Sequence, residues 1–200
     1  GQLSTWRRAE PDVRLTMSVN VAARQVSDEL PSTMAAILEA TGVDPDLVWL
    51  ELTESALMFN SRNAETVMGQ LRDLGVHMSV DDFGTGYSSL TYLQRLPIEG
   101  IKLDRSFVSG LGSGERDEAI CHAVISLGRA LGLRTVAEGV ETEVQAGHLR
   151  RIGCEQLQGY LFGRPAPATE IAERGITRVE RDPAEPAWST TDPTSATATR

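Results

Sequence analysis

The chain is poor in residues that form disulfides, thiolate metal sites or histidine metal sites. Its 200 residues include two cysteines, Cys121 and Cys154, and no CxxC pair. Its three histidines, His77, His122 and His148, have no metal-ligand spacing. These counts argue against a structural zinc site, and they predict two buried thiols in a reducing, cytoplasmic setting.

Long apolar runs and an excess of positive charge are also missing. No run reaches the roughly 20 residues of a membrane-spanning helix. The 28 acidic residues outnumber the 19 Lys and Arg, so the formal net charge is −9. This charge argues against nonspecific binding to DNA or RNA. It stays compatible with a small anionic ligand if cations bridge that ligand to the protein. The phosphate-loop sequence GK[ST] and the hydrolase sequence GxSxG are absent as well.

Strand-like and helix-like segments alternate along most of the chain. The predicted strands cover 13–22, 47–54, 76–83, the start of 100–107, 134–140 and 154–162. The predicted helices cover the end of a helix in the first ten residues, then 31–42, 63–75, 88–97, 115–132 and 142–153. The last twenty residues are rich in Pro, Thr, Ser and Ala. We therefore predict one folded domain over 1–175 and a disordered tail over 176–200.

This alternation predicts parallel strands joined by crossover helices. In each predicted strand, one face is apolar and the other carries a polar residue near the C-terminal end. The apolar faces are predicted to carry Met17, Val19, Val21, Leu50, Leu52, Met78, Val80, Ile101, Leu103, Thr135, Ala137 and Leu157. A (β/α) barrel has this pattern, because its sites lie at the C-terminal ends of the strands. A doubly wound open sheet is the alternative, although it more often has continuous apolar runs and one glycine-rich phosphate loop.

A closed barrel needs eight strands and roughly 250 residues. The sequence contains six predicted strands, so we expect an α/β, TIM-like (β/α) barrel with about six of its eight strands, open at the N-terminal side. The remaining strands are expected upstream of Gly1.

The predicted strand ends bring several polar side chains to one edge of the sheet. They are Asn20, Glu51, Asp81, Asp82, Lys102, Glu138 and Gln158. Converging carboxylates repel one another and raise each other's pKa values, and a divalent cation removes this repulsion. Oxygen ligands suit Mg²⁺ or Mn²⁺. Two such ions about 3.5–4 Å apart would activate a water for phosphodiester cleavage.

Within this set, Asp81 is the natural bridging ligand. Asp82 would point away from it in a regular strand, and it reaches the same site only if the strand ends or twists, which Gly84 and Gly86 permit. Lys102 is expected to orient the attacking water or to stabilise charge on the phosphate.

Each of these residues also has a structural interpretation. Asn20 can be a turn residue, "ELTES" a capping box with Thr53 or Ser55 as cap, and "DDFGTG" an Asx-turn. Lys102 and Asp104 can form an ordinary ion pair, Glu138 and Glu141 can be solvated loop charges, and Gln158 can bond to the backbone. The recurrence of polar residues at six matching strand ends favours the metal site over these alternatives.

Six motifs occur in order along the chain: "SVNVAARQ", "LELTES", "DDFGTGYSSL", "IKLDRSFV", "AEGVET" and "QGYLFGRP". Through them the sequence closely resembles EAL-type domains, the phosphodiesterases of bacterial cyclic di-GMP, over roughly residues 5–174. The resemblance implies a β/α barrel with one irregular strand. It also implies Mg²⁺- or Mn²⁺-dependent hydrolysis of cyclic di-GMP to linear pGpG.

The resemblance also implies roles for individual residues. The implied metal ligands are Asn20, Glu51, Asp81, Asp82 and Glu138. Lys102, Glu138 and Glu54 are implied in catalysis, and Glu54 holds the DDFG loop in its active form. The implied substrate-binding residues are Asp104, Gln158, Phe162 and Pro165, of which the last two line a guanine pocket.

Partners and boundaries follow from the same resemblance. It implies a homodimer through the DDFG loop and the helix after it, and sensory or cyclase domains upstream. The cytoplasmic setting predicted from the cysteines leaves open that segments outside this sequence attach the whole protein to a membrane. The Glu-Ala-Leu signature of the family, which supplies one more metal ligand, is not in this sequence and is expected upstream. Hydrolysis by these residues alone is therefore expected to be impaired. The alternatives are a non-catalytic cyclic di-GMP receptor or interaction module, and an unrelated barrel with metal-assisted phosphate chemistry.

Overall fold

The computed structural model describes residues 2–9, 15–59, 61–85, 93–112 and 114–174. The first half of the predicted helix over 88–97 and the whole predicted tail over 176–200 lie outside the described residues. Across the described ranges, no helix combines the length and the apolar character needed to cross a membrane.

Six parallel strands form the centre of the fold. They are β1 (Met17–Val21), β2 (Val48–Thr53), β3 (His77–Phe83), β4 (Gly100–Leu103), β5 (Arg134–Ala137) and β6 (Gln156–Leu157). They pair in sequence order, from β1 at one edge to β6 at the other. A doubly wound sheet reverses its strand order at a switch point, and these six strands show no reversal. The structure is therefore a half-barrel, which confirms the predicted barrel-type α/β fold.

Helices connect the strands and cover the outer face of the sheet. They are α1 (Gln2–Ala9), α2 (Leu30–Thr41), α3 (Glu54–Phe59), α4 (Ser61–Asp73), α5 (Arg105–Ser109), α6 (Glu115–Leu131), α7 (Glu143–Arg151) and α8 (Ala168–Arg174). Short 3₁₀ turns precede α2 and β2. The long predicted helices are confirmed to within about two residues, but α3, α5 and α8 were missed. The predicted strand over 154–162 was too long, because the chain turns after β6 and Gly159 lies against the backbone of Val140.

The core lies between the outer face of the sheet and the helices. Leu50, Met78 and Ile101 on the strands are 0–2% exposed, and Leu71 of α4 is fully buried beside them. These strand residues alternate as predicted. Val19 is the exception: it was predicted on the covered face but is 44% exposed, because β1 is an edge strand whose main neighbour is β2.

Polar side chains fill the concave face, as their alternation predicts. They surround a narrow cavity of about 60 Å³ whose lining includes Ser79, Lys102 and Gln158. At the N-terminal ends of the strands, the indole of Trp49 stacks on the His77 ring with centroids 4.7 Å apart. The Arg134 guanidinium lies 4.6 Å from the centre of the indole. This packing occupies the N-terminal end of the barrel interior, and the strand ends with the acidic residues lie at the opposite end.

We predict opposite effects of two Gly-to-Ala substitutions in helices. In α6, a Cβ on Gly128 would lie 2.4 Å from Thr135 Cγ2 and 3.1 Å from Ile101 Cδ1, so Gly128→Ala should destabilise by about 1–3 kcal/mol. In α7, a Cβ on Gly147 meets nothing within 4 Å, so Gly147→Ala should stabilise by up to about 1 kcal/mol. Urea unfolding of both variants measures these changes. Equal effects would contradict the close contact of α6 with the sheet.

The two thiols lead to a second prediction. Cys121 and Cys154 are both buried, as predicted, and burial raises the pKa of each to about 11. An unfolded cysteine has a pKa of about 8.5, so the folded state keeps the two thiol protons up to a higher pH than the unfolded state does. Stability that is present below pH ~8.5 is then lost as the pH rises toward 11. The wild type should therefore lose unfolding free energy relative to a Cys121→Ala, Cys154→Ala double variant over this range. A constant difference would contradict the prediction.

Candidate metal and substrate site

Lys102 lies at the centre of the polar side chains at the C-terminal ends of the strands. It is 4% exposed. Its ammonium Nζ lies 2.6 Å from Glu51 Oε2, 3.2 Å from Asp81 Oδ1 and 2.5 Å from Glu138 Oε1. The three acids come from β2, β3 and the residue after β5, so the parallel register brings together groups that are far apart in sequence. The Lys102–Asp104 pair considered from sequence is wrong, because Lys102 bonds to these three acids instead.

Burial and charge act in opposite directions on this cluster. Burial by itself lowers the pKa of Lys102, but the hydrogen bonds and charges of Glu138 and Glu51 outweigh it and hold that pKa above its usual range. Burial raises the pKa of Glu138, with further contributions from Asp81 and Glu51, and the Lys102 contact only partly offsets this rise. Lys102 therefore remains an ammonium ion, and Glu138 holds a proton more readily than an exposed glutamate does.

A bulge in β3 brings the adjacent aspartates to one site. Val80 pairs with Ile101 and Phe83 with Leu103, so Asp81 and Asp82 together lie opposite Lys102. A bulge of this kind places two residues against one and redirects the second side chain. Asp82 has a φ of +54°, a left-handed conformation that aspartate tolerates better than most residues. This confirms the expectation that Asp82 reaches the site only through an irregular strand.

The bulge brings Asp82 close to several carboxylates. Asp81, Asp82 and Glu138 each offer one oxygen within 4.8 Å of the others, a spacing that could hold a metal ion. Burial raises the pKa of Asp82, and the charges of Asp81 and Asp104 add to the rise. Burial raises the pKa of Asp104, but hydrogen bonds from Ser106 and Arg105 at the start of α5, together with the Arg105 charge, outweigh burial and lower that pKa. The two neighbouring carboxyls thus have opposite tendencies to hold a proton.

Glu138 owes its position to the turn after β5. The next residue, Gly139, has a φ of +67°, and a Cβ there would lie 2.4 Å from Arg105 Cβ. Glycine is therefore required where the chain leaves the strand. The Glu138 amide still donates to the Leu103 carbonyl of β4. Glu138 is thus fixed by the sheet and is not the solvated loop charge considered from sequence.

The other predicted metal and catalytic residues lie at the edges of this cluster. Asn20 pairs with Glu51 in the register of β1 and β2, and its side chain is exposed. Glu54 begins α3 and is 5% exposed, and its Oε2 has no hydrogen-bond partner among the described residues. The Thr53 hydroxyl accepts from the Ala56 amide. Thr53 therefore caps α3, as one interpretation of "ELTES" expects, while Glu51 of the same segment contacts Lys102.

Three of the four predicted substrate residues line a wide groove beside β6, and the fourth, Asp104, lies beside Asp82 instead. This groove has a volume of about 700 Å³ and includes Gln158, Phe162 and Pro165. Phe162 is 50% exposed. Sequence reasoning missed Tyr160, which is half exposed, and Arg164, whose guanidinium lies 4.3 Å from the centre of the Tyr160 ring. The signal was present in "QGYLFGRP", where Tyr160 lies between the predicted residues Gln158 and Phe162, and Arg164 directly precedes Pro165.

The bulge leads to a prediction for Asp82 in chelator, without metal. Because its pKa is raised on folding, the carboxyl contributes stability below its unfolded pKa of about 3.9, and this contribution is lost as the pH rises through the folded pKa. The free energy of unfolding of Asp82→Asn should therefore increase relative to that of the wild type as the pH rises from about 4 to 7. Asp82→Ala loses the same charge but should be less stable than Asp82→Asn by roughly 1 kcal/mol, since alanine tolerates positive φ poorly. Urea unfolding of the wild type and both variants at several pH values measures these differences. The same pH dependence of stability in the wild type and in Asp82→Asn would contradict the raised pKa.

Known proteins resemble this chain over most of its length. It is 42% identical to the cyclic di-GMP phosphodiesterase NbdA of Pseudomonas aeruginosa, over 86% of this chain and 24% of NbdA. It is 44% identical to the bifunctional diguanylate cyclase/cyclic di-GMP phosphodiesterase MucR of the same species, over 78% of this chain and 23% of MucR. The chain thus spans about a quarter of the length of these relatives.

Solved structures agree with this relationship. The MucR phosphodiesterase in complex with c-di-GMP matches with a TM-score of 0.81 and 42% identity, over 84% of this chain and 68% of that one. The EAL domain of Mycobacterium smegmatis DcpA matches at 0.78 and 40%, over 84% and 76%. A manganese and cyclic di-GMP complex of Klebsiella pneumoniae BlrP1 matches at 0.74 and 30%, over 82% and 42%.

The family assignment does not depend on any single relative. The model of the EAL domain matches residues 1–165, which include every residue of the site described above. BlrP1 was also solved with calcium, and the acidic group of this chain offers the oxygen ligands that a divalent metal needs. The chain belongs to the EAL domain family.

Proposed function

We propose that this EAL domain hydrolyses cyclic di-GMP to linear pGpG with the help of Mg²⁺ or Mn²⁺. The observation that carries the proposal is the convergence of Glu51, Asp81, Asp82, Lys102 and Glu138 at one end of the barrel interior. Relatives at about 40% identity are named cyclic di-GMP phosphodiesterases, and this chain has acidic side chains where such chemistry needs them.

The donor set fits two hard divalent ions. Asp81, Asp82 and Glu138 would hold them, with Glu51 and Asn20 at the side of β1 and β2. Carboxylate and amide oxygens suit Mg²⁺ and Mn²⁺ better than zinc. When bound, such ions lower the pKa of a coordinated water and neutralise charge on the phosphate.

The pKa shifts divide the remaining roles between Lys102 and Glu138. Since Lys102 stays protonated, it cannot accept a proton, and it donates hydrogen bonds to the attacking water or to a phosphate oxygen. A carboxylate must then accept the proton of the water. Glu138 is suited to this, because its raised pKa lies closer to neutral pH than that of an exposed glutamate.

The groove beside β6 is the proposed position of the ligand. Exposed aromatic rings at Tyr160 and Phe162 offer stacking surfaces for a base, and the Arg164 guanidinium adds positive charge at the same place. Phe162 and Pro165 would line the guanine pocket, and Gln158 lies between this groove and the interior. Asp104, beside Asp82, would act nearer the phosphates than the base.

The quaternary arrangement is also a proposal. The DDFG loop and the helix after it would form a homodimer, although residues 86–92 of this segment lie outside the described residues. Glu54, buried next to the start of α3, would hold that loop. MucR carries a second, cyclase activity in its name, which supports upstream sensory or cyclase domains. A cytoplasmic location of this domain is part of the same proposal.

A hydrolysis assay tests this function. Turnover of cyclic di-GMP with Mg²⁺ or Mn²⁺ is expected from this chain extended by its upstream segment, and reduced turnover from the 200 residues alone. In the extended chain, Glu51→Ala and Asp81→Asn should each lower kcat by about 10²–10⁴-fold. Asp73→Asn is the matched control, because Asp73 is an acid with a side chain 70% exposed, paired only with neighbouring Arg72 in the described contacts.

The same assay distinguishes an enzyme from a receptor. Tight binding of cyclic di-GMP by the extended chain without any turnover would overturn the phosphodiesterase and favour a non-catalytic receptor. Circular dichroism of each variant ensures that a loss of turnover reflects the site and not a loss of fold.

A further inference from the structure

We propose that Lys102 is an internal counter-ion that occupies the metal-binding carboxylates when no metal is bound, so that a divalent cation must displace it. Lys102 is then a positioning residue that sets the affinity of the site for metal. The inference rests on the proposed metal site but not on hydrolysis, and its test measures metal binding without substrate.

The hydrogen-bond geometry of the ammonium is the first argument. Nζ has three donors, and it faces three carboxylates at 2.6, 3.2 and 2.5 Å from Glu51, Asp81 and Glu138. The Glu51 contact is a hydrogen bond, and the Asp81 and Glu138 contacts are ion pairs. Asp81 and Glu138 also belong to the group whose oxygens could hold a metal. The ammonium and a metal ion therefore use the same side chains.

The balance of charge is the second argument. The side chains of Lys102, Glu51, Asp81 and Glu138 are 5–21% exposed, so water screens them poorly. With Asp82 nearby, four acids surround one lysine in this cluster. A divalent ion brought to Asp81 and Glu138 repels the ammonium, and each partner weakens the other's hold on these carboxylates.

The barrel interior provides a place for the displaced ammonium. Lys102 lines the same cavity of about 60 Å³ as Ser79, Gln156 and Gln158, whose side-chain oxygens accept hydrogen bonds. The lysine ammonium sits on a flexible stem of four carbons, so it can move toward these groups while the backbone of β4 stays fixed. Competition of this kind is a coupling between two ligands of one site.

The decisive variant is Lys102→Met, which keeps the unbranched shape and most of the length of the side chain and removes its charge. Isothermal titration of the 200-residue chain with Mn²⁺ should show about 5- to 150-fold tighter binding in Lys102→Met than in the wild type, the range typical of such coupling. Lys102→Arg, which keeps the charge, should not bind more tightly. Unchanged or weaker Mn²⁺ binding in Lys102→Met would overturn the proposal. Unchanged binding is the result for a lysine that contacts only the substrate, and weaker binding is the result for a lysine that only holds the acids in place.

Arg134→Met is the matched control for the general effect of charge. Arg134 lines the same interior, but it stacks on Trp49 at the N-terminal end, and among the described residues it forms no ion pair with the acids around Lys102. Its loss changes the net charge by the same amount. An equal gain in Mn²⁺ affinity from Arg134→Met would show a long-range field and would contradict direct competition.

A measurement on the wild type keeps the test independent of the folding of Lys102→Met. In chelator, the three carboxylates should protect the ammonium protons of Lys102 from exchange with solvent, and nitrogen NMR of the ammonium group measures this protection. Saturation with Mg²⁺ should shift this signal and increase its exchange with solvent. A signal that does not change on Mg²⁺ saturation would overturn the proposal. An extended chain that lacks turnover but shows this displacement would refute the hydrolysis and leave the counter-ion role standing.

Discussion

The parallel register of the sheet forces like charges together, and the rest of the site depends on how that repulsion is offset. Glu51, Asp81 and Glu138 are separated by 30 residues or more along the chain, but their strands end at the same level. In this structure the Lys102 ammonium offsets their charge through three short contacts. Because removing one member of a buried ion cluster leaves an uncompensated charge, the positions of the acids and of the lysine are interdependent.

The bulge in β3 has the same origin at a smaller scale. Two consecutive strand residues normally face opposite sides, so a site that needs both Asp81 and Asp82 needs an irregular strand. The extra residue opposite Lys102 provides this irregularity, and Asp82 adopts a positive φ to do so. Backbone strain of this kind persists only where the surroundings stabilise it. Phe83 and Leu103 restore the regular pairing immediately afterwards, so the distortion is limited to the acidic pair.

Much of this arrangement was predictable from the sequence, because it depends on periodicity. Alternation along the strands predicted which side chains enter the interior, and the recurrence of polar residues at strand ends predicted the cluster around Lys102. The one-turn helices α3 and α5 were missed, because five or six residues are too few to show a helical period. Val19 was misplaced, because alternation predicts the face of a strand but not whether a helix covers it. The Trp49–Arg134 contact joins strands that are not neighbours in the sheet, and local pattern carries no information about it.

The charge of the domain also limits how it can bind its proposed ligand. The net charge of −9 and the acids of the mouth oppose a cyclic dinucleotide with two phosphates. The groove offers Arg164, and the interior offers Lys102, whose ammonium already lies against three carboxylates. Neither is enough to neutralise both the acids and the phosphates. For the proposed hydrolysis, divalent ions held by Asp81, Asp82 and Glu138 would supply the positive charge that the described residues lack where acids and phosphates meet. If the proposed displacement of Lys102 holds, the same ions would also free its ammonium from the carboxylates, so that Lys102 could donate to the substrate only with metal bound.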